Sequence, residues 1–255
     1  MRPILGVTIA HTYVGDYTGS GVDATDGAGN TVTAPQASTL LHEDCAAGHI
    51  LGCDGGWDNL LKIGIAYDTR DFEPDPNSGV FADLTTEFSL RAFGSTFNYG
   101  RVTAGVRGYV SLLPHPYDLV LAARYVYSVS FGDVPFYAMP VLSFTQHFED
   151  GLGGVQSLRG YRGQRFVGRV MTFGNAELRW TFTRCSVLNQ HIALSTGPFV
   201  DMGRVFDRVS YALDQWKRTQ GGMLRLSWNE ATVVGIEAGA NEEDYAIYID
   251  DGHQF

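Results

Sequence analysis

The chain has 255 residues, 28 acidic and 18 basic side chains for a net charge of −10, and is 44% hydrophobic with 31 glycines. An acidic balance with dispersed arginines excludes a nucleic-acid-binding surface, and no run approaches the ~20 apolar residues of a membrane-spanning helix. The length suits one large all-β domain or two ordinary ones.

The opening "MRPILGVTIAHTYVG" alternates and has no small-residue cleavage site, so it reads as a strand and not as a secretory signal. The chain therefore reads as mature, or truncated at its N-terminal side. A long polar loop, residues 15–57, follows. Within it Cys45 and Cys53 flank "AAGHILG", close enough for a small disulfide in an oxidising compartment, with two free thiols as the alternative. No histidine stands beside them at metal-site spacing, so no metal is expected. Cys185 is alone and is placed in a turn.

From Leu61 onward the chain is written in steps of two, because strand side chains alternate faces. Leu61, Ile63, Ile65 and Tyr67 oppose Lys62, Asp68 and Arg70. Val80, Ala82, Leu84, Phe88 and Leu90 oppose Asp83, Glu87 and Arg91. Val102, Ala104, Val106, Val110 and Leu112 oppose Arg101, Thr103, Arg107 and Ser111. Leu119 to Phe131 is apolar at every odd position, against Arg124, Ser128 and Ser130 at even ones. Residues 132–167 form a long loop rich in glycine and arginine. Beyond it Ala176, Leu178, Trp180 and Phe182 oppose Asn175, Glu177, Arg179 and Thr181, and Val200 and Met202 oppose Asp201. After a further long connection, 204–218, Leu224, Leu226 and Trp228 oppose Arg225, and Val234 and Ile236 oppose Glu237.

Soluble sandwiches alternate too. Three features favour a membrane barrel. The segments reach roughly ten residues or more, the span of a tilted membrane strand. Aromatic residues crowd the ends of the apolar faces, as an interfacial girdle requires. Short turns ("EPDPNSG", "PHPYD", "NEA") alternate with long loops, as periplasmic turns and outer loops do. The expected fold is an all-β, antiparallel transmembrane β-barrel with about ten visible strands, one domain over residues 1–255.

"LRGY" at 158–161, "GDVPFY" at 132–137, the "GNAELRW" run to Trp180, "YDTRD" at 67–71 and "GPFVDMGRVFD" at 197–207 together resemble the BamA/TamA-type outer-membrane assembly family, the bacterial surface antigen superfamily. The terminal "IDDGHQF" resembles that family's closing strand. The ordered set covers most of residues 58–255. The resemblance implies the last ten strands of a sixteen-strand barrel in the bacterial outer membrane, assisting insertion or translocation of polypeptides. It further implies that the loop folds back into the barrel, where Arg159, within Leu158, Arg159, Gly160 and Tyr161, meets wall acids at Glu177 and Asp201. Tyr248, Gly252 and Phe255 would form a terminal assembly signal.

Partners implied are outer-membrane lipids and lipopolysaccharide, with periplasmic domains or other barrel polypeptides. A membrane anchor for a surface-displayed or secreted enzyme and a simple pore are the competing readings. Seven histidines and many serines carry no nucleophile elbow or fixed spacing. No catalytic set and no cofactor are expected.

Overall fold

The computed structural model describes residues 1–15, 21–25, 28–35, 38–114, 118–229, 232–253 and 255. His115, a sequence candidate for a turn, lies outside them. The strands in chain order are β1 (Arg2–Thr12), β2 (Gly21–Thr25), β3 (Thr31–Pro35), β4 (Gly56–Asp68), β5 (Gly79–Ser89), β6 (Tyr99–Leu113), β7 (Leu119–Gly132), β8 (Val141–Ser143), β9 (Phe148–Asp150), β10 (Val170–Val187), β11 (Gln190–Phe206), β12 (Lys217–Trp228), β13 (Thr232–Ala240) and β14 (Tyr245–Asp251); a short helix, α1 (Leu40–Ala46), precedes β4.

Ten strands make one sheet in the order β1-β4-β5-β6-β7-β10-β11-β12-β13-β14. Every pairing within it is antiparallel. The sheet curls, since His253 beyond β14 reaches Asp75 in the β4–β5 turn. Among the described residues β1 and β14 stand at the two edges of the sheet and do not pair with each other.

The alternation sets the two faces. Arg101, Arg124, Glu177, Asp201, Arg225 and Glu237 are all buried, while Ile63, Leu84, Val106, Tyr125, Trp180, Leu224 and Ile236 are exposed. This inverts a soluble protein: charges lie within the lumen and the apolar face looks outward, as a lipid solvent demands. The apolar core is itself luminal. Leu142, Phe144, Leu152, Leu158 and Tyr161 of the 132–167 segment pack with Val126, Met171 and Phe173 of the wall.

The expected bond between Cys45 and Cys53 is present, in a 15–57 segment that also carries the β2–β3 hairpin and α1, whose N-cap Thr39 accepts a hydrogen bond from the backbone N–H of His42. Two sequence readings are corrected. Cys185 lies exposed within β10, not in a turn. A bulge between Thr181 and Thr183 lets the β10–β11 ladder run on to Val187 and Gln190, and the turn falls at Leu188 and Asn189, both with positive φ (51° and 62°) as a two-residue hairpin loop needs. Arg91 is exposed in a 3-10 turn, Arg91–Phe93, beyond the end of β5, so it shares no face with Asp83 and Glu87.

Candidate functional site

The 132–167 segment leaves β7 at the outer rim and folds into the lumen, where two groups of wall residues hold it. In the first half of the sheet, Asp83 accepts hydrogen bonds from the backbone N–H and the hydroxyl of Thr145, at 2.9 and 3.1 Å. Ser143 donates to Glu87 at 2.6 Å, Lys62 donates to the carbonyl of Phe144, and Arg101 joins Glu87 to the carbonyl of Ala138. The β8–β9 hairpin is thereby tied to β4 and β5, and the turn before it, at Ala138, to β6. Farther along, Arg124 of β7 holds Glu149 of β9 at 2.8 Å.

The second group is centred on Arg159. Its guanidinium meets Asp201 side-on, Nε to Oδ2 at 2.9 Å and Nη2 to Oδ1 at 2.7 Å, while Nη1 donates to Glu177 at 2.7 Å and to Glu237 at 2.8 Å. Its own backbone N–H also donates to Asp201, at 3.1 Å. The planar fork suits this arrangement because it points donors in three directions at once. The guanidinium carbon stands 3.4 Å from the centre of the Phe199 ring, which takes its open face. Burial by itself would lower the pKa of Arg159; hydrogen bonding to Asp201 and the charges of Asp201, Glu177 and Glu237 outweigh it and raise it.

Around this fork the charges balance. Arg225 donates to both Glu177 oxygens, at 3.0 and 3.2 Å, and also to Glu237. Arg179 donates to Glu177 at 2.9 Å. Three guanidiniums therefore face three carboxylates, which is what makes so many buried charges tolerable. Register places the supporting polar groups: Asn175, Asp201 and Thr219 are direct cross-strand partners, and both Asn175 and Thr219 donate to Asp201, at 2.8 and 3.2 Å.

Room for the loop comes from two strand glycines. A Cβ on Gly239 would stand 2.8 Å from the backbone carbonyl of Arg159, and one on Gly221 would overlap the Phe199 ring and the carbonyl of Ala238. Such glycines mark close backbone approach. Gly160 itself has φ +98°, a conformation that a side chain disfavours. Its N–H donates to the Tyr248 hydroxyl at 3.0 Å, which in turn donates to the carbonyl of Tyr161 at 3.3 Å.

Of the residues the sequence singled out, Leu158, Arg159, Gly160, Tyr161, Glu177 and Asp201 are brought together, and Tyr248 joins them. Sequence reasoning missed Glu237 and Arg225 as members, although their luminal parity was readable. It also missed Gly221 and Gly239, whose signal was glycine at luminal positions within strands.

Phe255 departs from the expected position in a closing strand. The chain leaves β14 at Gly252, with φ +92°, and Phe255 turns inward against Tyr109 and Ala122. Its ring centre lies 5.1 Å from the guanidinium of Arg124 and 5.4 Å from that of Arg179, and Arg179 donates to its carbonyl at 3.0 Å. Cationic donors inside the lumen outcompete the lipid face for this aromatic residue. Next to it, His253 accepts from Arg225 through Nδ1 at 2.9 Å and so carries its proton on Nε2, which donates to Asp75 at 2.7 Å. Burial and the neighbouring Arg179 push the His253 pKa down to about 4, so the ring is neutral near pH 7.

The model of the Omp85 superfamily domain matches residues 17–247. The chain belongs to the Omp85 superfamily. It is thus a β-barrel of the bacterial outer membrane. Among solved structures, BamA from Haemophilus ducreyi lacking POTRA domains 1-3 has a similar fold, with a TM-score of 0.55 and 19% sequence identity. The match covers 78% of this chain and 42% of that one, so the Omp85 chain described here spans less than half the length of that relative. No curated protein matches the sequence.

Proposed function

We propose that this Omp85 barrel assists the insertion or translocation of polypeptides at the outer membrane, with the Arg159 cluster acting as a lock that keeps the 132–167 loop docked. The observation that carries this reading is the loop docked by the Arg159 cluster, which braces the sheet from within, beside two edge strands, β1 and β14, that pair with each other nowhere among the described residues. Leu5, Val7 and Ile9 on β1 are 70–74% exposed, and Tyr245, Ile247 and Ile249 on β14 are 67–79% exposed, whereas Leu121 and Tyr125 on the central β7 are 39% and 45% exposed. The difference arises because an edge residue has a neighbour on one flank only. An unpaired strand presents a row of backbone donors and acceptors that templates an incoming strand. A lumen occupied by its own loop weighs against a simple open pore.

The test is a proteoliposome assay with an unfolded outer-membrane polypeptide as client and a photoreactive residue at Ile247 or Leu5. Faster appearance of heat-modifiable client than in empty liposomes, with crosslinks from either edge, is expected. Client folding at the empty-liposome rate and no edge crosslinks would leave the anchor reading in its place.

A further inference from the structure

The β11–β12 connection, residues 207–216, lies against the outer wall of the barrel. Tyr127, on the outward face of β7, donates from its hydroxyl to the carbonyl of Ser210 at 3.0 Å and stacks on Tyr211 at 5.6 Å between ring centres. Arg204, outward on β11, holds Asp214 at 2.7 Å. Thr172, which lies between Tyr127 and Arg204 in the register, shares the outward parity yet is 1% exposed. The connection is therefore a strap running from β12 back across β11 and β10 to β7, on the side that faces lipid.

Between strap and wall lies a groove of about 470 Å³. Gly174 and Ala176 form its floor, Tyr125 and Met202 its sides, and Leu213 and Trp216 line it from the strap. The floor is low because these two outward positions of β10 carry no side chain and a methyl group. Arg218 lines it too, beside Met202 in the register and with no carboxylate partner among the described residues. Arg208 stands exposed on the same strap. In a chain of net charge −10, an unpaired guanidinium on the lipid-facing wall calls for an anionic group from the membrane itself.

We propose that this groove is a binding site for a phosphorylated, acylated glycolipid of the outer leaflet. One acyl chain lies over Gly174 and Ala176 beneath Trp216, and a headgroup phosphate meets Arg218. The strap joins the outer ends of its strands, on the same side as the 132–167 loop and opposite the short turns, which sets the site in that leaflet. The groove is lined mostly by apolar side chains, which suits an acyl chain better than a sugar. The guanidinium is suited to phosphate oxygens.

The experiment uses the full chain folded in phosphatidylcholine nanodiscs, with diphosphoryl lipid A carrying a photoreactive group on an acyl chain as the probe. Labelling of peptides containing Trp216 or Ala176 is expected, about tenfold weaker in Arg218→Ala and with dephosphorylated lipid A, the equivalent of one charge-assisted contact. Ala176→Leu, which fills the floor with an apolar group on a lipid-facing position, should abolish labelling while heat-modifiable migration stays normal. Millimolar inorganic phosphate should not displace the probe. The proposal is overturned by equal labelling with and without the lipid phosphates, by labelling that survives Ala176→Leu, or by displacement with free phosphate, which would indicate an anion site with no lipid component. Should Arg218→Ala fail to fold, the dephosphorylated probe on the unaltered chain decides the same point.

Discussion

Replacing Arg159 by alanine removes a side chain that is 0% exposed and bonded to three carboxylates. Two guanidiniums, Arg179 and Arg225, would then face Glu177, Asp201 and Glu237, leaving one buried negative charge in excess. Asp201 would suffer most, since it loses the side-on pair and retains Asn175, Thr219 and, while the loop stays docked, the backbone N–H of residue 159. Breaking a buried pair from one side costs about 3–5 kcal/mol, which shifts the docked–undocked equilibrium of the loop by roughly two to nearly four orders of magnitude. Hydrogen exchange reads this directly. The amides of Gly153, Gly154, Arg159, Gly160 and Tyr161 all donate hydrogen bonds in the docked loop, so their protection should fall by that factor while the β6–β7 ladder is unaffected. Arg159→Lys, which keeps the charge and loses the fork, should fall between. Adding Asp201→Asn or Glu237→Gln to Arg159→Ala removes the excess charge, so the double variants should lose less than the sum of the singles. Unchanged protection in Arg159→Ala would refute the reasoning and leave the loop held by its apolar packing and the β8–β9 contacts.

Gly239→Ala puts a methyl group against the backbone of Arg159 and should destabilise the docked loop by about 1–3 kcal/mol; exchange of the same amides measures it, and wild-type protection would show that the wall can yield. The His253 pKa lies below that of a free histidine, so the tail contributes stability that is fully present above about pH 6.5 and is lost as pH falls toward about 4. Protonation would place a proton on Nδ1 facing Arg225, with Arg179 nearby and Asp75 as the opposing charge. Protection of the Gly252 amide, which donates to Val233, measured against the intrinsic rate at each pH, should fall across that window in the unaltered chain and stay level in His253→Asn; identical profiles would remove the histidine from the account. Reducing the Cys45–Cys53 bond frees a short loop worth about 2–3 kcal/mol by loop closure, with faster exchange confined to residues 40–53 and no shift of the barrel's melting temperature; a barrel shift would mean that α1 braces the sheet.

Strand number, face and environment were legible in the sequence because a period of two with charges on one face and aromatics at the ends of the other leaves little choice. Arg124, Glu177, Asp201, Arg225 and Glu237 could each be assigned to the lumen from parity alone, since a one-residue slip would put them all in lipid. The site was legible in part, through the resemblance carried by "LRGY". What parity cannot give is level along the barrel axis. Whether Glu237 and Arg225 stand at the height of Arg159 depends on shear and tilt between strands far apart in sequence, which are properties of the curled sheet. The same holds for the strap: nothing in residues 207–216 announces that Tyr211 will stack on Tyr127, because that contact exists only once β7 and β12 are set with β10 and β11 between them. Phe255 shows the limit most plainly. Its type and parity fitted a lipid-facing strand end, but where it rests is decided by Tyr109, Arg124 and Arg179, lumen residues of the neighbouring strands β6, β7 and β10 that only the curl of the sheet brings to the end of β14.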